Sequence, residues 1–412
     1  MEFDSGNTAW VLMSTALVLF MTPGLALFYG GMVRSKNVLG MLMQNLFAMG
    51  LLAVLWVAVV FSLAFGDAGN AGFIGNLDYV WLQDVGPNVL PADWAALTIP
   101  FILFCAFQMT FAIITPALIT GATADRLKFS AYAVFIGAWL VLVYGPLAHM
   151  VFAGGWLADM GALDFAGGAV VHMNAGAAAL ALVLLIGRRK GYPDTPMPPH
   201  NLPMTVLGTG ILWFGWAGFN AGSALAADGV AAQAIMNTFL AASAAMLGWL
   251  VVERVKDGHA TTLGAASGAV AGLVAITPCA GFVGGMAPVY IGAFAGAACY
   301  LALGLKKAFG FDDSLDVIAV HLVGGLVGSV LLGLFADSTI NGVVTDEGLF
   351  LGGGADLLVD QIVASVVTLA YSFAATTVIG KVIDLTIGLR ASDEDEDLGL
   401  DLSQHAEVAY AD

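Results

Sequence analysis

The feature that most constrains this chain is a run of apolar stretches, each long enough to cross a bilayer, recurring along nearly its whole length. They fall near 8–33, 38–66, 94–120, 130–153, 166–187, 202–227, 231–252, 261–278, 282–305, 315–336 and 357–380. About 20 apolar residues bridge the hydrocarbon core as a helix, so the pattern predicts an all-α polytopic membrane protein with eleven transmembrane helices. The least marked boundary lies near Pro278–Gly285. Composition agrees: 59% of the 412 residues are hydrophobic and 10% charged, against roughly 45–50% and about 25% in a soluble domain. The net charge of −17 has the wrong sign for nucleic acid. Cys105, Cys279 and Cys299 show no CxxC spacing and read as small buried side chains.

Charge placement sets the expected topology. Basic residues cluster at Arg34/Lys36, Arg126/Lys128, Arg188/Arg189/Lys190, Arg254/Lys256, Lys306/Lys307 and Lys381 with Arg390, in every second connection. The intervening loops carry Asp67, Asp78, Asp84, Asp93, Asp159, Asp228, Asp337, Asp346 and Glu347, and neither Lys nor Arg. By the positive-inside rule the N-terminus lies outside and the C-terminus inside. The start, Met1-Glu2-Phe3-Asp4, has no basic n-region, so no cleavable signal peptide is expected. Residues 1–388 read as the transmembrane domain and 389–412 as an acidic cytoplasmic tail. The acidic excess suits a salt-loving prokaryote, or a surface that concentrates cations at the outer mouth.

Within the spans, Gly264, Gly268 and Gly272 repeat every fourth residue, as do Gly292 and Gly296, and Gly324 and Gly328. Such spacing lets helix backbones approach closely in lipid. Ionisable groups at membrane depth are costly, and by default functional. His172 and His321 lie 149 residues apart, each with an aspartate before it (Asp164 and Asp316) and a glycine four residues after it. They sit in spans 5 and 10. Two halves of five helices each run in opposite senses, so the pattern predicts two inverted repeats, about 8–187 and 202–336, with a final helix at 357–380 and a site at the repeat interface. The bland alternative is a histidine satisfied by a neighbouring carbonyl. Neither histidine has metal-ligand spacing, so no metal and no cofactor is expected. Asp164 stands where a carboxylate caps a helix N-terminus. Phe107 and Phe111 in span 3, and Trp213, Trp216 and Phe219 in span 6 followed by Asn220 and Ser223, read either as packing or as an aromatic site with a hydroxyl, suited to a small cation.

Long motifs carry a resemblance. Ala16 to Gly31 (ALVLFMTPGLALFYGG), Asp164-Phe165-Ala166-Gly167-Gly168, Gly215 to Ser223 (GWAGFNAGS) and Asp316 to His321 (DVIAVH) resemble the ammonium transporter family (Amt/Mep/Rh), on its Amt branch. The resemblance implies a non-enzymatic homotrimer in the cell membrane, with a pore through each subunit. It implies an outer recruitment site at Ser223, Phe152 and Phe111 with Asp164 as structural support, a stacked gate of Phe111 and Phe219, and a pore lined by His172, His321 and Trp216. One departure matters: Phe152 stands where Amt proteins usually carry tryptophan, the better cation–π face, so weaker capture is expected. The tail segments Gly399-Leu400-Asp401 and His405 to Tyr410 also resemble the Amt tail, which implies a PII-type signal protein as a partner at the cytoplasmic face. Ala406 replaces a common glycine there.

The mechanism expected from these residues is capture of ammonium, deprotonation near the gate, and passage of ammonia along two imidazoles that can donate and accept hydrogen bonds, with the proton crossing separately in an electrogenic variant. Methylammonium is a candidate analogue whose acceptance the sequence leaves open. The alternatives are an ammonium sensor with little net transport, which the short tail disfavours; an intramembrane metalloenzyme, which lacks a third ligand; and a sodium-coupled amine transporter, which lacks mid-span carboxylates.

Overall fold

A computed structural model describes residues 3–67 and 72–410. Met1 and Glu2, on which part of the N-terminal expectation rests, lie outside the described residues. Among the described residues ten helices are long and apolar enough to cross a membrane, and a shorter apolar helix, α8, lies among them: α1 Ser5–Met32, α2 Ser35–Phe65, α3 Phe101–Thr123, α4 Phe129–Met160, α5 Gly168–Ile186, α6 Leu202–Ala221, α7 Gly229–Asp257, α8 Thr262–Ile276, α9 Ala287–Phe309, α10 Ile318–Phe335 and α11 Asp356–Thr386. The chain is a multi-pass membrane protein. Leu46, Val54, Phe214, Leu247, Val251, Phe294 and Val366 stand exposed on the outside of the bundle, as suits an apolar surrounding and not water.

Most expected boundaries agree within a few residues, and two of them are instructive, one by differing and one by agreeing. Span 3 begins at Phe101, not 94, because Pro100 holds an extended backbone and sets the N-terminus. Residues Ala92–Trp94 instead form a separate turn. The break near Pro278 is real: α8 ends at Ile276, and Asn237 of α7 donates to the Ala280 and Val283 carbonyls of the connection.

Small residues set the packing. A side chain on Gly292 or Gly296 would strike the Ala241 or Ala245 carbonyl, and one on Gly272 the Ala241 carbonyl, so α7, α8 and α9 touch backbone to backbone. Helices α1 and α6 do the same through Gly31 against Thr205 and Gly208 against Phe28. The glycines after the histidines serve one crossing. A Cβ on Gly176 would lie 2.5 Å from the Leu322 nitrogen, and one on Gly325 would lie 2.9 Å from the Gly168 carbonyl. Helices α5 and α10 therefore meet at the points that place His172 beside His321.

Two short helices follow α11: α12 Asp393–Leu398 and α13 Leu400–His405. Ser392 caps α12 in a reciprocal pair with Asp395. At the basic end of the bundle, the Gly40 N–H donates to Asp401 (2.7 Å), the Leu400 N–H to Asn37 (2.8 Å), Arg390 grips Glu396 (2.5 and 3.0 Å), and Lys36 donates to the Glu396 and Asp397 carbonyls. The acidic run is thus a docked helix. Ala406 holds the left-handed conformation, at φ 55°, that a glycine would take without strain.

Candidate functional site

The histidines lie where α5 and α10 depart from regular α geometry. Both helices open with a π-helical segment, Gly168–Met173 and Ile318–Val323, and a third, Ala217–Ala221, carries Phe219 in α6. Such one-turn widenings re-aim side chains and collect at functional positions. Here they turn three rings toward one axis. His172 Nδ1 lies 3.2 Å from His321 Nδ1, the rings nearly parallel with centroids 5.3 Å apart. Both are buried. The short contact requires one nitrogen to donate and the other to accept.

Trp216 flanks this pair, 5.5 Å from His172 and nearly parallel to it. Its indole N–H is pinned by Thr277 at 2.9 Å, and the Thr277 hydroxyl in turn donates to the Leu273 carbonyl. A cavity of about 10 Å³ runs between the rings, lined by His172, His321, Trp216, Phe219 and an aliphatic wall including Leu25, Ile114, Leu118, Leu212 and Val270. That is room for roughly one water-sized molecule. The wall offers no charge and few hydrogen-bonding groups besides the imidazoles.

Toward the acidic end, Phe219 lies parallel to His172 at 5.9 Å and Phe111 meets Phe219 at 4.5 Å. The expectation of stacked Phe111 and Phe219 rings is corrected: they are tilted by 51°. Phe219 follows the plane of His172, while Phe111 packs edge-on to Phe107, so the two cannot be parallel. Beyond them lies a cavity of about 160 Å³ bounded by Phe111, Phe152, Ser223, Phe165 and Ala166, and also by Phe65, Trp94, Phe104, Gln108 and Leu225. Ser223 donates its hydroxyl to the Phe219 carbonyl at 2.8 Å, which leaves its lone pairs facing other partners.

Asp164 fixes the start of α5. Its carboxylate accepts from the N–H groups of Gly167, Gly168, Ala169 and Val170 at 2.6 to 3.2 Å, which satisfies the orphan donors of that helix end. The pairing of Asp164 with Asp316 is corrected. The mirror of Asp164 is Asp313, eight residues before His321 as Asp164 is eight before His172. Asp313 accepts the Ile318 N–H at 2.7 Å. Asp316 sits in the left-handed region (φ 65°) and pairs with Lys306 at 2.5 Å.

The structure therefore gathers Ser223, Phe111, Phe152, Phe219, Trp216, His172 and His321 along one path, with Asp164 behind its wall. Sequence reasoning missed Gln108, Trp94, Phe65 and Phe104. Gln108 follows Phe107 directly and could have been noticed as a polar residue in an apolar run; the others come from loops and span ends whose placement is tertiary. No group of three or more metal-ligating side chains occurs among the described residues.

The family model described as Ammonium Transporter Family matches residues 9–410. The chain belongs to that family. It is 52% identical to an ammonium transporter of Mycobacterium tuberculosis, over 99% of this chain and 90% of that protein. Its fold is similar to the crystal structure of Candida albicans Mep2, with a TM-score of 0.89 and 37% identity over 99% of this chain and 91% of that one. A structure described as a sensor Amt protein is similar as well, with a TM-score of 0.88 and 29% identity over 97% and 98% of the two chains.

Proposed function

We propose that the chain is an ammonium transporter that binds ammonium in the Ser223 pocket, passes one of its protons to His172 beside the phenylalanine pair, and lets ammonia through between His172 and His321. The observation that carries this reading is the imidazole pair, Nδ1 to Nδ1 at 3.2 Å, beside an apolar cavity of about 10 Å³. Potassium resembles ammonium in size and charge but cannot shed its charge. An ion stripped of water in so apolar a site is penalised by several kcal/mol or more, whereas neutral ammonia needs only one donor and one acceptor, which neutral imidazole supplies. Stacked in series, the two rings also offer a route for the separated proton, which would make transport electrogenic.

In this reading the acidic end faces outward, the basic end and tail face the cytoplasm, and the chain works as a homotrimer. The docked α12 and α13 offer a PII-type signal protein an ordered surface at the pore exit. The acid-rich outer loops fit either growth in high salt or attraction of cations to the mouth. Methylammonium fits as an analogue because it keeps an N–H to surrender.

The test is ammonium-evoked current in proteoliposomes. Wild-type protein is expected to carry current with ammonium and little with potassium, and His172→Ala or His321→Ala to lose that discrimination or the current itself. Ammonium selectivity that survives in both variants would reduce the histidines to packing.

A further inference from the structure

The weakest point of the outer site is Phe152, whose benzene face holds a cation less well than an indole. A second cavity of about 380 Å³ adjoins the Ser223 pocket on its acidic side, lined by Asp67, Asp93, Gly66, Ala153 and Gly154. Three aromatic residues, Phe65, Trp94 and Phe152, line both cavities. Any cation moving from the acidic basin to Ser223 passes this shared wall, and Trp94 is its one indole.

The indole is held in place from several sides. Its N–H donates to the Phe65 carbonyl at 3.2 Å, and its ring packs against Phe104 at 4.8 Å, Phe65 at 5.7 Å and Phe101 at 5.9 Å. The turn Ala92–Trp94 delivers the Asp93 carboxylate to the basin and, in the next residue, the ring to the partition. Placing the two in adjacent residues couples a long-range attraction to a short-range cation–π contact.

We propose that Trp94, with Phe65 and Phe152, forms a first ammonium subsite between the acidic basin and the Ser223 pocket, and that Trp94 supplies the cation–π face that Phe152 lacks. This rests on the transport reading above. The subsite selects small cations that retain N–H or N–CH3 groups able to lie against a ring, and it acts on capture rather than on passage through the pore.

The experiment is the concentration dependence of ammonium-evoked current in proteoliposomes, with wild type, Trp94→Phe, and Trp94→Phe combined with Phe152→Trp. Trp94→Phe should raise the half-saturating ammonium concentration about fivefold with the maximal current kept, and Phe152→Trp should restore it. Because Trp94→Phe also deletes the bond to Phe65, a series of fluorinated tryptophans at position 94 is run beside it; these keep the N–H while draining the ring face, and half-saturation should climb with each added fluorine. A flat fluorination series, or an unchanged half-saturation in Trp94→Phe, would overturn the subsite while a selective wild type and unselective His172→Ala left the transport reading standing. Potassium crossing the wild type as readily as ammonium would overturn both.

Discussion

The starts of α5 and α10 are two versions of one device, an aspartate eight residues ahead of a buried histidine, and they are finished differently. At the acidic end, Asp164 accepts four backbone N–H groups and has nothing left to offer. At the basic end, Asp313 takes the Ile318 N–H on Oδ2 and leaves Oδ1 without a hydrogen-bond partner. Lys306 and Asp316 form an ion pair beside it, and the lysine also reaches the Asp313 carbonyl. Burial raises the first carboxyl, against the pull of its four backbone N–H bonds. The second is a buried acid with spare capacity: its carboxyl is pushed up to about 6, by burial first and then by the negative charge of Asp316. The two helix starts share a π-helical backbone, while the loops around each decide its chemistry.

Substitutions at the two aspartates can break or sharpen that contrast. The largest effect is expected from Asp164→Ala, which orphans four buried N–H groups at about 1–3 kcal/mol each. Thermal denaturation in detergent should show a loss of at least about 4 kcal/mol, with ammonium current abolished; a stable, conducting variant would mean the carboxylate is dispensable to α5. Asp313→Ala should cost less, about 1–2 kcal/mol for its bond to Ile318, measured by the same denaturation. Equal losses at both positions would erase the distinction drawn here.

The smallest expected effect is in the pH dependence of Asp313→Asn. Because the folded-state pKa of Asp313 is raised, the folded protein holds a proton there that the unfolded chain gives up near the ordinary value of about 4. That carboxyl therefore adds stability as pH falls from about 6 toward about 4, and the gain is absent above about 6. Asn, which cannot ionise, should flatten the stability profile across that window alone. An identical profile in wild type and Asp313→Asn would place the proton elsewhere.

Much of the fold was legible because the bilayer imposes a one-dimensional rule. A helix must bury its own backbone polar groups and present apolar side chains, so spans and loop charges alternate in plain view. The histidine pair was legible for a related reason: an ionisable residue amid glycine, alanine and valine stands out. Nearness in sequence favoured Asp316, but Asp313 keeps the eight-residue spacing of Asp164, and its bond to the Ile318 N–H shows that it caps the helix. Trp94 was hidden because it read as the start of span 3, and only the start of α3 at Phe101 frees the turn Ala92–Trp94 to fold over the cavity.

By itself the sequence determined that this chain crosses a membrane many times and that two imidazoles lie within its spans. Apolar length, loop charge and small-residue spacing are local properties, and each acts through the solvent it meets. Only the tertiary structure decided that the imidazoles touch, that Phe111 and Phe219 meet at an angle, that the acidic tail is docked, and that Trp94 stands between two cavities. Those facts depend on contacts between residues tens to hundreds of positions apart, and close packing rather than composition selects among them.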